Sequence, residues 1–144
     1  MFSYDRNKSL GHLTGLASRL LSNALARRFR DAGIDMTAEQ WGALLVLIDG
    51  KAMTQLQLGE ELFLEKSSVS RLLNGLERRG WIVRTKSEGD GRHKLVSPTE
   101  TAVETAERCA AIARGVLEEA QKGLTEDERL VCRSFLSRII GNLE

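Results

Sequence analysis

Residues 54–84, TQLQLGEELFLEKSSVSRLLNGLERRGWIVR, contain the clearest structural pattern in this sequence. Leucines recur at helical spacing on both sides of a Glu-Lys-Ser-Ser segment, and the second run ends at Gly80. The β-forming residues Trp81, Ile82 and Val83 follow directly. Two short helices and a strand in this order predict a helix-turn-helix with an attached hairpin.

The second of these helices, predicted at 66–79, has two chemically different faces. Its apolar side chains lie on one side of a helical wheel: Val69, Leu72, Leu73 and Leu76. The opposite side carries Ser67, Arg71, Asn74 and Arg78, flanked by Ser68 and Ser70. Arginine can bond guanine through two acceptors, and asparagine can bond adenine through its amide. We therefore predict that this face contacts DNA, and the alternative is an ordinary solvated face.

Residues on both sides of this helix extend the predicted DNA surface. Thr54 and Gln55 begin the preceding helix, where a helix N-terminus can meet a phosphate; alternatively, Thr54 serves only as a helix cap. Residues 87–91 form a predicted turn between two strands. Three lysines, one at the start of the second helix and one on each side of this turn, are the predicted phosphate contacts: Lys66, Lys86 and Lys94.

The charge distribution agrees with this surface. The chain of 144 residues has a net charge of +1, from 21 Lys and Arg against 20 Asp and Glu. Residues 66–94 alone contain eight basic and three acidic residues, so this segment has a charge of +5 and the remainder has −4. A local positive patch favours one surface that meets a polyanion. With 42% apolar residues, the chain can support a core and is not a disordered polyelectrolyte.

The remaining chain predicts helices before and after this unit. Apolar spacing indicates helices at about 6–32, 38–49, 98–123 and 126–143. In a capping box, a Ser or Thr and a Gln or Glu three residues later satisfy free backbone amides. Four such boxes predict helix starts: Thr37 with Gln40, Thr54 with Gln57, Ser97 with Glu100, and Thr125 with Glu128. Pro98 supports the third, because proline suits the first helical position.

The predicted helices at the two ends of the chain have apolar stripes that must be buried against another protein surface. Residues from Val103 to Leu124 alternate spacings of three and four, as in a heptad seam, and the last helix has an apolar face of its own. We expect a second copy of the chain to provide this surface. The sequence therefore predicts a homodimer, with dimerisation helices at 1–35 and 101–144 around a DNA-binding core at 36–100.

Other classes of protein are disfavoured by the residue content. The residues His12, His93, Cys109 and Cys132 show neither zinc spacing nor a nucleophile with its base, so we predict no enzyme, no metal and no cofactor. Both cysteines lie on or beside apolar stripes and are predicted to be inert core thiols. The longest apolar run, 41–48, is far below the ~20 residues of a membrane span. We expect a cytoplasmic protein without an export signal or a membrane partner.

Together, these motifs resemble the winged helix-turn-helix core of the MarR (multiple antibiotic resistance regulator) family. The matching elements are residues 54–84, a hairpin containing Asp90-Gly91-Arg92, and SPTETA at 97–102. The resemblance implies a dimer whose fourth helix enters the major groove, while each hairpin, or wing, lies along the minor groove. It also implies that Arg92 enters the minor groove and that Asp90 orients Arg92 by pairing with it.

The resemblance further implies release from DNA by a small aromatic or anionic effector, bound between the dimer lobe and the DNA lobe. His12, Arg19 and Trp41 are the candidate contacts. Each has a simpler alternative, which is a core position for Trp41 and a dimer-facing or solvent-facing position for His12 and Arg19.

Two departures from the family pattern are visible. Phe63 stands where many such turns have glycine, so we expect the turn to avoid a left-handed residue and to bury the aromatic ring. Pro98 and Ala102 replace a commoner leucine and glycine near the start of the fifth helix. Neither change touches the outward face of the recognition helix.

The function that we expect is a sequence-specific DNA-binding transcriptional regulator. It acts as a homodimer, more specifically as a repressor, on a pseudo-palindromic A·T-rich operator. One alternative is a winged-helix protein-interaction module without DNA recognition. The other is a redox-sensing regulator that uses Cys109 or Cys132, although the chain lacks the cysteine near the first helix that some members use.

Overall fold

The computed structural model describes residues 1–50, 52–86 and 94–144 and confirms a mainly α fold with a small β-sheet. A 3₁₀ turn at Arg6–Lys8 precedes the first helix. The other elements are α1 (Leu10–Asp31), α2 (Ala38–Asp49), β1 (Met53–Thr54), α3 (Gln55–Leu62), α4 (Lys66–Arg78), β2 (Ile82–Lys86), β3 (Lys94–Pro98), α5 (Glu100–Ala120) and α6 (Glu126–Leu143). The helix-turn-helix is α3 and α4, and the strands of the wing are β2 and β3.

The sheet has three antiparallel strands in the order β1-β3-β2. β2 and β3 pair along their full lengths, as the predicted hairpin requires. β1 places Met53 and Thr54 on the other side of β3. The sequence does not predict β1, because two residues are too few for an alternating apolar pattern. This short strand pairs with β3 and so connects the start of α3 to the wing.

The hydrophobic core is centred on α2, which packs against α1, α4, α5 and β3. Trp41, Leu44 and Leu47 of α2 are buried. The Phe29 ring of α1 meets the Trp41 ring edge-on, with centroids 6.2 Å apart and planes at 77°, which is a favoured arrangement of aromatic pairs. α2 is therefore the central helix of the core.

Local capping signals predict three of the helix starts. The boxes at Thr37 with Gln40, Thr54 with Gln57, and Thr125 with Glu128 are present. In each box the hydroxyl accepts from the third helical amide, and the Gln or Glu side chain accepts from the amide of the cap. The first backbone donors of these helices are therefore satisfied within the chain.

The predicted start of α5 at Ser97 is wrong. Ser97 belongs to β3, where pairing with β2 keeps the backbone extended. Thr99 caps α5 instead: its hydroxyl accepts from Ala102 N at 3.2 Å and donates to the Gly80 carbonyl oxygen at 2.7 Å. The Thr99 amide also donates to the Trp81 carbonyl oxygen at 3.1 Å. Strand pairing thus overrides the local signal and moves the cap by two residues.

Both expectations for Phe63 are wrong. Phe63 ends α3 in the left-handed conformation, with φ of 54°, and its side chain is 69% exposed. The turn closes through hydrogen bonds from Phe63 N to Glu60 O at 3.3 Å and from Leu64 N to Gly59 O at 3.0 Å. This closure requires a left-handed residue whatever the side chain, at a cost of about 1–2 kcal/mol when a β-carbon is present.

α1 begins later than the apolar spacing predicts. The Ser9 hydroxyl accepts from His12 N at 3.3 Å and caps a helix that starts at Leu10. Further along, α1 packs beside α5, and Arg28 forms an ion pair with Glu119. The α5 helix of the same chain therefore covers one side of α1.

Candidate nucleic-acid interface

α4 presents the polar face that the sequence predicts. Its exposed side chains include Ser67, Arg71, Asn74 and Arg78. Ser68 and Ser70 at the flanks are half-buried. The other side of the helix is buried through Val69, Leu73 and Leu76. The apolar side therefore fixes α4 in the fold, and the polar side is open to a partner.

Two glycines allow α4 to lie close to its neighbours. A β-carbon at Gly75 would lie 3.0 Å from Gln40 Nε2. A β-carbon at Gly59 of α3 would lie 3.1 Å from the Val69 methyl carbon Cγ2. Both distances are shorter than ordinary packing contacts, so larger residues would push α4 outward. Small residues at these two positions thus determine how deeply α4 is seated.

The N-terminal end of α4 gathers four of the predicted DNA contacts. A shallow depression of about 570 Å³ is lined by Gln55, Lys66, Ser67 and Ser70, together with Glu65. Among the described residues, no side chain caps the first amides of α4. These amides are available to an anionic oxygen, and the helix dipole favours negative charge at this end.

A larger groove of about 860 Å³ lies beside it, between α3, α4 and β3. Its rim includes four predicted residues: Thr54, Gln55, Lys66 and Lys94. The Thr54 hydroxyl accepts from Gln57 N at 3.2 Å, as the helix-cap alternative requires. Lys94 stands opposite Lys86 across the base of the wing, and both are exposed. Like charges in directly opposite positions repel, and an anion such as phosphate relieves this repulsion.

The predicted wing-tip contacts Asp90 and Arg92 lie outside the described residues, as does His93. Their roles stay predictions. The described part of the wing ends at Lys86 and resumes at Lys94. The interface that the structure describes therefore consists of α3, α4 and the base of the wing.

A polar network that the sequence does not reveal anchors the end of α4. Arg79 Nη1 donates to Gln40 Oε1 at 2.7 Å, and Arg79 Nε lies 3.3 Å from Asp35 Oδ2. The Trp81 indole N–H donates to the Asp35 carbonyl oxygen at 2.8 Å. The buried Gln40 also accepts from Thr37 N. The capping box predicts the hydrogen bond between Gln40 and Thr37. It does not indicate that Arg79 also bonds to Gln40.

A second network joins the wing to the exposed face of α4. Arg84 of β2 donates from Nη2 to Asn74 Oδ1, and from Nε to Glu77 Oε2 at 3.3 Å. The charges of Arg84 and Arg79 are therefore paired within the chain. Basic side chains of 66–94 that have no ion-pair partner among the described residues are Lys66, Arg71, Arg78, Lys86 and Lys94.

Comparison with known proteins agrees with this architecture. The model of the MarR family matches residues 34–93, which extend from the loop before α2 into the wing. Over these residues the chain is similar to the MarR family. It is 32% identical over 84 residues to the organic hydroperoxide resistance transcriptional regulator of Bacillus subtilis. That alignment covers 58% of this chain and 57% of the relative, so the chain spans little more than half of the relative's length.

Solved structures of other proteins share the fold of this chain. A probable transcriptional regulator from Pseudomonas aeruginosa has a TM-score of 0.84 and 26% sequence identity, covering 94% of this chain and 99% of that one. A MarR mutant from E. coli, crystallised with operator DNA, has a TM-score of 0.84 and 23% identity, covering 96% and 99%. These matches confirm the winged helix-turn-helix with its terminal helices.

The terminal helices of the chain expose apolar side chains. α6, which the structure describes in full, has no buried residue. We call the following exposed side chains the terminal apolar surface: Val131, Phe135, Leu136, Ile140 and Leu143 of α6, and Leu10, Leu13, Leu16 and Leu20 of α1. Exposed apolar side chains in such numbers on two helices are typical of a protein–protein contact.

The three candidate effector contacts occupy different environments. His12 is half-buried on α1, and Arg19 is exposed about two turns further along the same helix. Trp41 is 6% exposed and packs against Phe29 in the core. An effector role for these residues stays a prediction.

The two cysteines also differ. Cys109 of α5 is buried and Cys132 of α6 is exposed, so the prediction of a core thiol is confirmed for Cys109 and wrong for Cys132 in the single chain. Burial raises the pKa of the Cys109 thiol, and the neighbouring Arg108 guanidinium opposes this only in part. Within the described ranges, no group of three His, Cys, Asp or Glu residues could hold a metal. No helix there is long and apolar enough to cross a membrane.

Proposed function

We propose that this chain is a homodimeric, sequence-specific DNA-binding transcriptional regulator of the MarR family. The observation that carries the proposal is the exposed face of α4. It presents Ser67, Arg71 and Asn74 outward, in a helix whose other side is held by the core. Arginine, asparagine and small hydroxyl side chains are the types that bond base edges and nearby phosphates in a major groove.

The charges around α4 support DNA as the partner. The five basic side chains without an ion-pair partner among the described residues lie on α4 or at the base of the wing. In the proposed complex, Lys66 and the first amides of α4 bind one phosphate region, with Gln55 and Thr54 beside it. Lys86 and Lys94 bind another. The predicted wing residues Arg92 and Asp90 complete the contact in the minor groove.

The terminal apolar surface supports a homodimer. None of the side chains of α6 is buried in the single chain, and those of the large apolar residues Phe135 and Ile140 are 56% and 54% exposed. A second copy of the chain would supply the same apolar helices in a two-fold arrangement. We therefore keep the division into dimerisation helices at 1–35 and 101–144 and a DNA-binding core at 36–100. Such a dimer fits two half-sites about one helical turn apart.

We further propose a cytoplasmic repressor of a pseudo-palindromic A·T-rich operator, released by a small aromatic or anionic effector. The resemblance to the MarR family is the basis for this part of the proposal. An effector would act by favouring a separation of the two α4 helices that no longer matches the half-sites. His12 and Arg19 of α1 remain its candidate contacts, as does Trp41, which packs against Phe29 in the core.

The test is DNA binding by the full chain, measured by fluorescence anisotropy at several salt concentrations. One duplex carries the region upstream of the protein's own gene, and the other has the same composition in scrambled order. We expect the first to bind tighter by about 10³-fold or more. Arg71→Ala should reduce this preference by about 5- to 150-fold, because it removes a base contact worth about 1–3 kcal/mol.

Lys86→Ala should behave differently from Arg71→Ala. Loss of a phosphate contact weakens binding to both duplexes equally and lowers the slope of log K against log salt by about one. Lys122→Ala is the matched control, since it removes one positive charge from the turn between α5 and α6. Equal binding of both duplexes by the unmodified protein would refute sequence-specific recognition.

A further inference from the structure

Arg84 occupies an unusual position for a basic residue of a DNA-binding hairpin. It lies on the face of β2 that also carries the buried Ile82, and therefore points toward α4 and not toward solvent. Its side chain is only 16% exposed. Both of its hydrogen-bond partners, Asn74 and Glu77, are on α4.

The contact between Arg84 and Asn74 fixes the orientation of the asparagine amide. A guanidinium only donates hydrogen bonds, so the amide atom that faces it must be the oxygen. Asn74 Oδ1 is that acceptor. The Asn74 nitrogen, with its two hydrogens, is then directed away from Arg84. The orientation of the Asn74 amide is therefore set before any DNA is bound.

Glu77 holds the guanidinium in this position. Its Oε2 accepts from Arg84 Nε at 3.3 Å while Nη2 bonds to Asn74, so the two α4 residues engage different nitrogens of one planar group. The pairing also neutralises the charge of Arg84 inside the chain. Arg84 is thus poorly placed to bind a phosphate, unlike the exposed Lys86 two residues later.

We propose that Arg84 is a positioning residue that sets the base preference of Asn74. An asparagine with both amide groups free bonds adenine, through the N6 donor and the N7 acceptor. An amide oxygen has two lone pairs, so Asn74 Oδ1 can accept from Arg84 and from a base at the same time. By fixing which side of the amide carries the oxygen, Arg84 prepares Asn74 to bind adenine and disfavours a base edge that needs the flipped amide. This inference rests on the proposed function, because it assumes that α4 contacts DNA.

The experiment is selection of bound duplexes from a random library by the full chain and its variants, followed by sequencing. We expect the unmodified protein to select adenine at one position of each half-site. Asn74→Ala should flatten that position alone, by at least about fivefold in relative enrichment. Arg84→Met, which keeps the apolar stem and removes the donors, should weaken the preference for adenine at the same position, because the amide can then flip. Arg84→Lys should retain the charge without restoring the preference, because an ammonium lacks the planar fork.

Salt dependence separates positioning from direct contact. Arg84→Met should leave the slope of log K against log salt unchanged, whereas Lys86→Ala lowers it by about one. An unchanged base preference in Arg84→Met, with or without a lower slope, would overturn the inference. The same holds if Asn74→Ala leaves every position unchanged.

Two further controls keep the test decisive. Asn74 is exposed, so Asn74→Ala is expected to fold even if Arg84→Met does not. If Arg84→Met does not fold, Glu77→Gln tests the hydrogen-bond network without removing Arg84. Glu77→Gln should weaken the preference at the Asn74 position only in part, since the bond from Arg84 to Asn74 remains. No change in Glu77→Gln, with Arg84→Met unfolded, would count against the inference. Failure of the unmodified protein to enrich any sequence would refute the proposed function itself, which is a separate result.

Discussion

α4 and α6 are both amphipathic helices, but they place their apolar sides in opposite ways. α4 buries Leu73 and Leu76 in its own chain and exposes polar side chains. α6 exposes Phe135 and Ile140 and buries nothing. The chemistry of the open face differs accordingly, since one suits a polyanion and the other suits an apolar protein surface. The same chain therefore has one region that folds on itself and one region with an exposed apolar side, which we propose is covered by a second copy.

The largest expected effect comes from placing a charge in the terminal apolar surface. Phe135→Glu would bury an unpaired carboxylate in the proposed dimer, at a cost of several kcal/mol. The dimer dissociation constant should rise by about 100-fold or more, as measured by sedimentation velocity over the micromolar range. Ser134→Glu is the matched control, because it adds the same charge to the polar side of α6. Dimers of equal strength in both variants would show that α6 is not the interface.

A cavity in the core should affect folding without affecting association. Leu73→Ala removes a fully buried side chain of α4 and should lower the free energy of unfolding by about 2–5 kcal/mol. The variant should remain dimeric under native conditions. Urea unfolding at a fixed protein concentration measures the effect. Leu56→Ala, at a side chain that is 70% exposed, should change stability by only about 0.5 kcal/mol. Equal losses in the two variants would contradict the assigned core.

The smallest effect is expected at the turn of the helix-turn-helix. Phe63→Gly should raise the free energy of unfolding by up to about 1 kcal/mol, because glycine adopts the left-handed conformation without strain. Phe63→Ala serves as the control, since it removes the ring but keeps the β-carbon and the strain. Thermal unfolding of both variants separates the two contributions. A rise in stability with alanine as large as that with glycine would mean that the exposed ring, and not the backbone, is unfavourable.

Local patterns predict most of this fold, and contacts between distant residues account for the errors. The capping box at Thr37 acts within four residues, and the structure confirms it. Ser97 has the same local signal, but pairing with Val83 across the sheet overrides it. The outward face of α4 follows from helical period alone. The hydrogen bonds that Arg84 makes to this face could not be predicted in the same way, because Arg84 lies ten residues from Asn74 along the chain.

The hydrogen bonds of Thr99 have a mechanical consequence. Its hydroxyl and amide hold the carbonyl oxygens of Gly80 and Trp81, directly after α4, while the same residue caps α5. Thr99 therefore joins the start of α5 directly to the end of α4. Separate motion of the two helices would break two hydrogen bonds worth about 1 kcal/mol each. These bonds favour one orientation of α5 relative to α4.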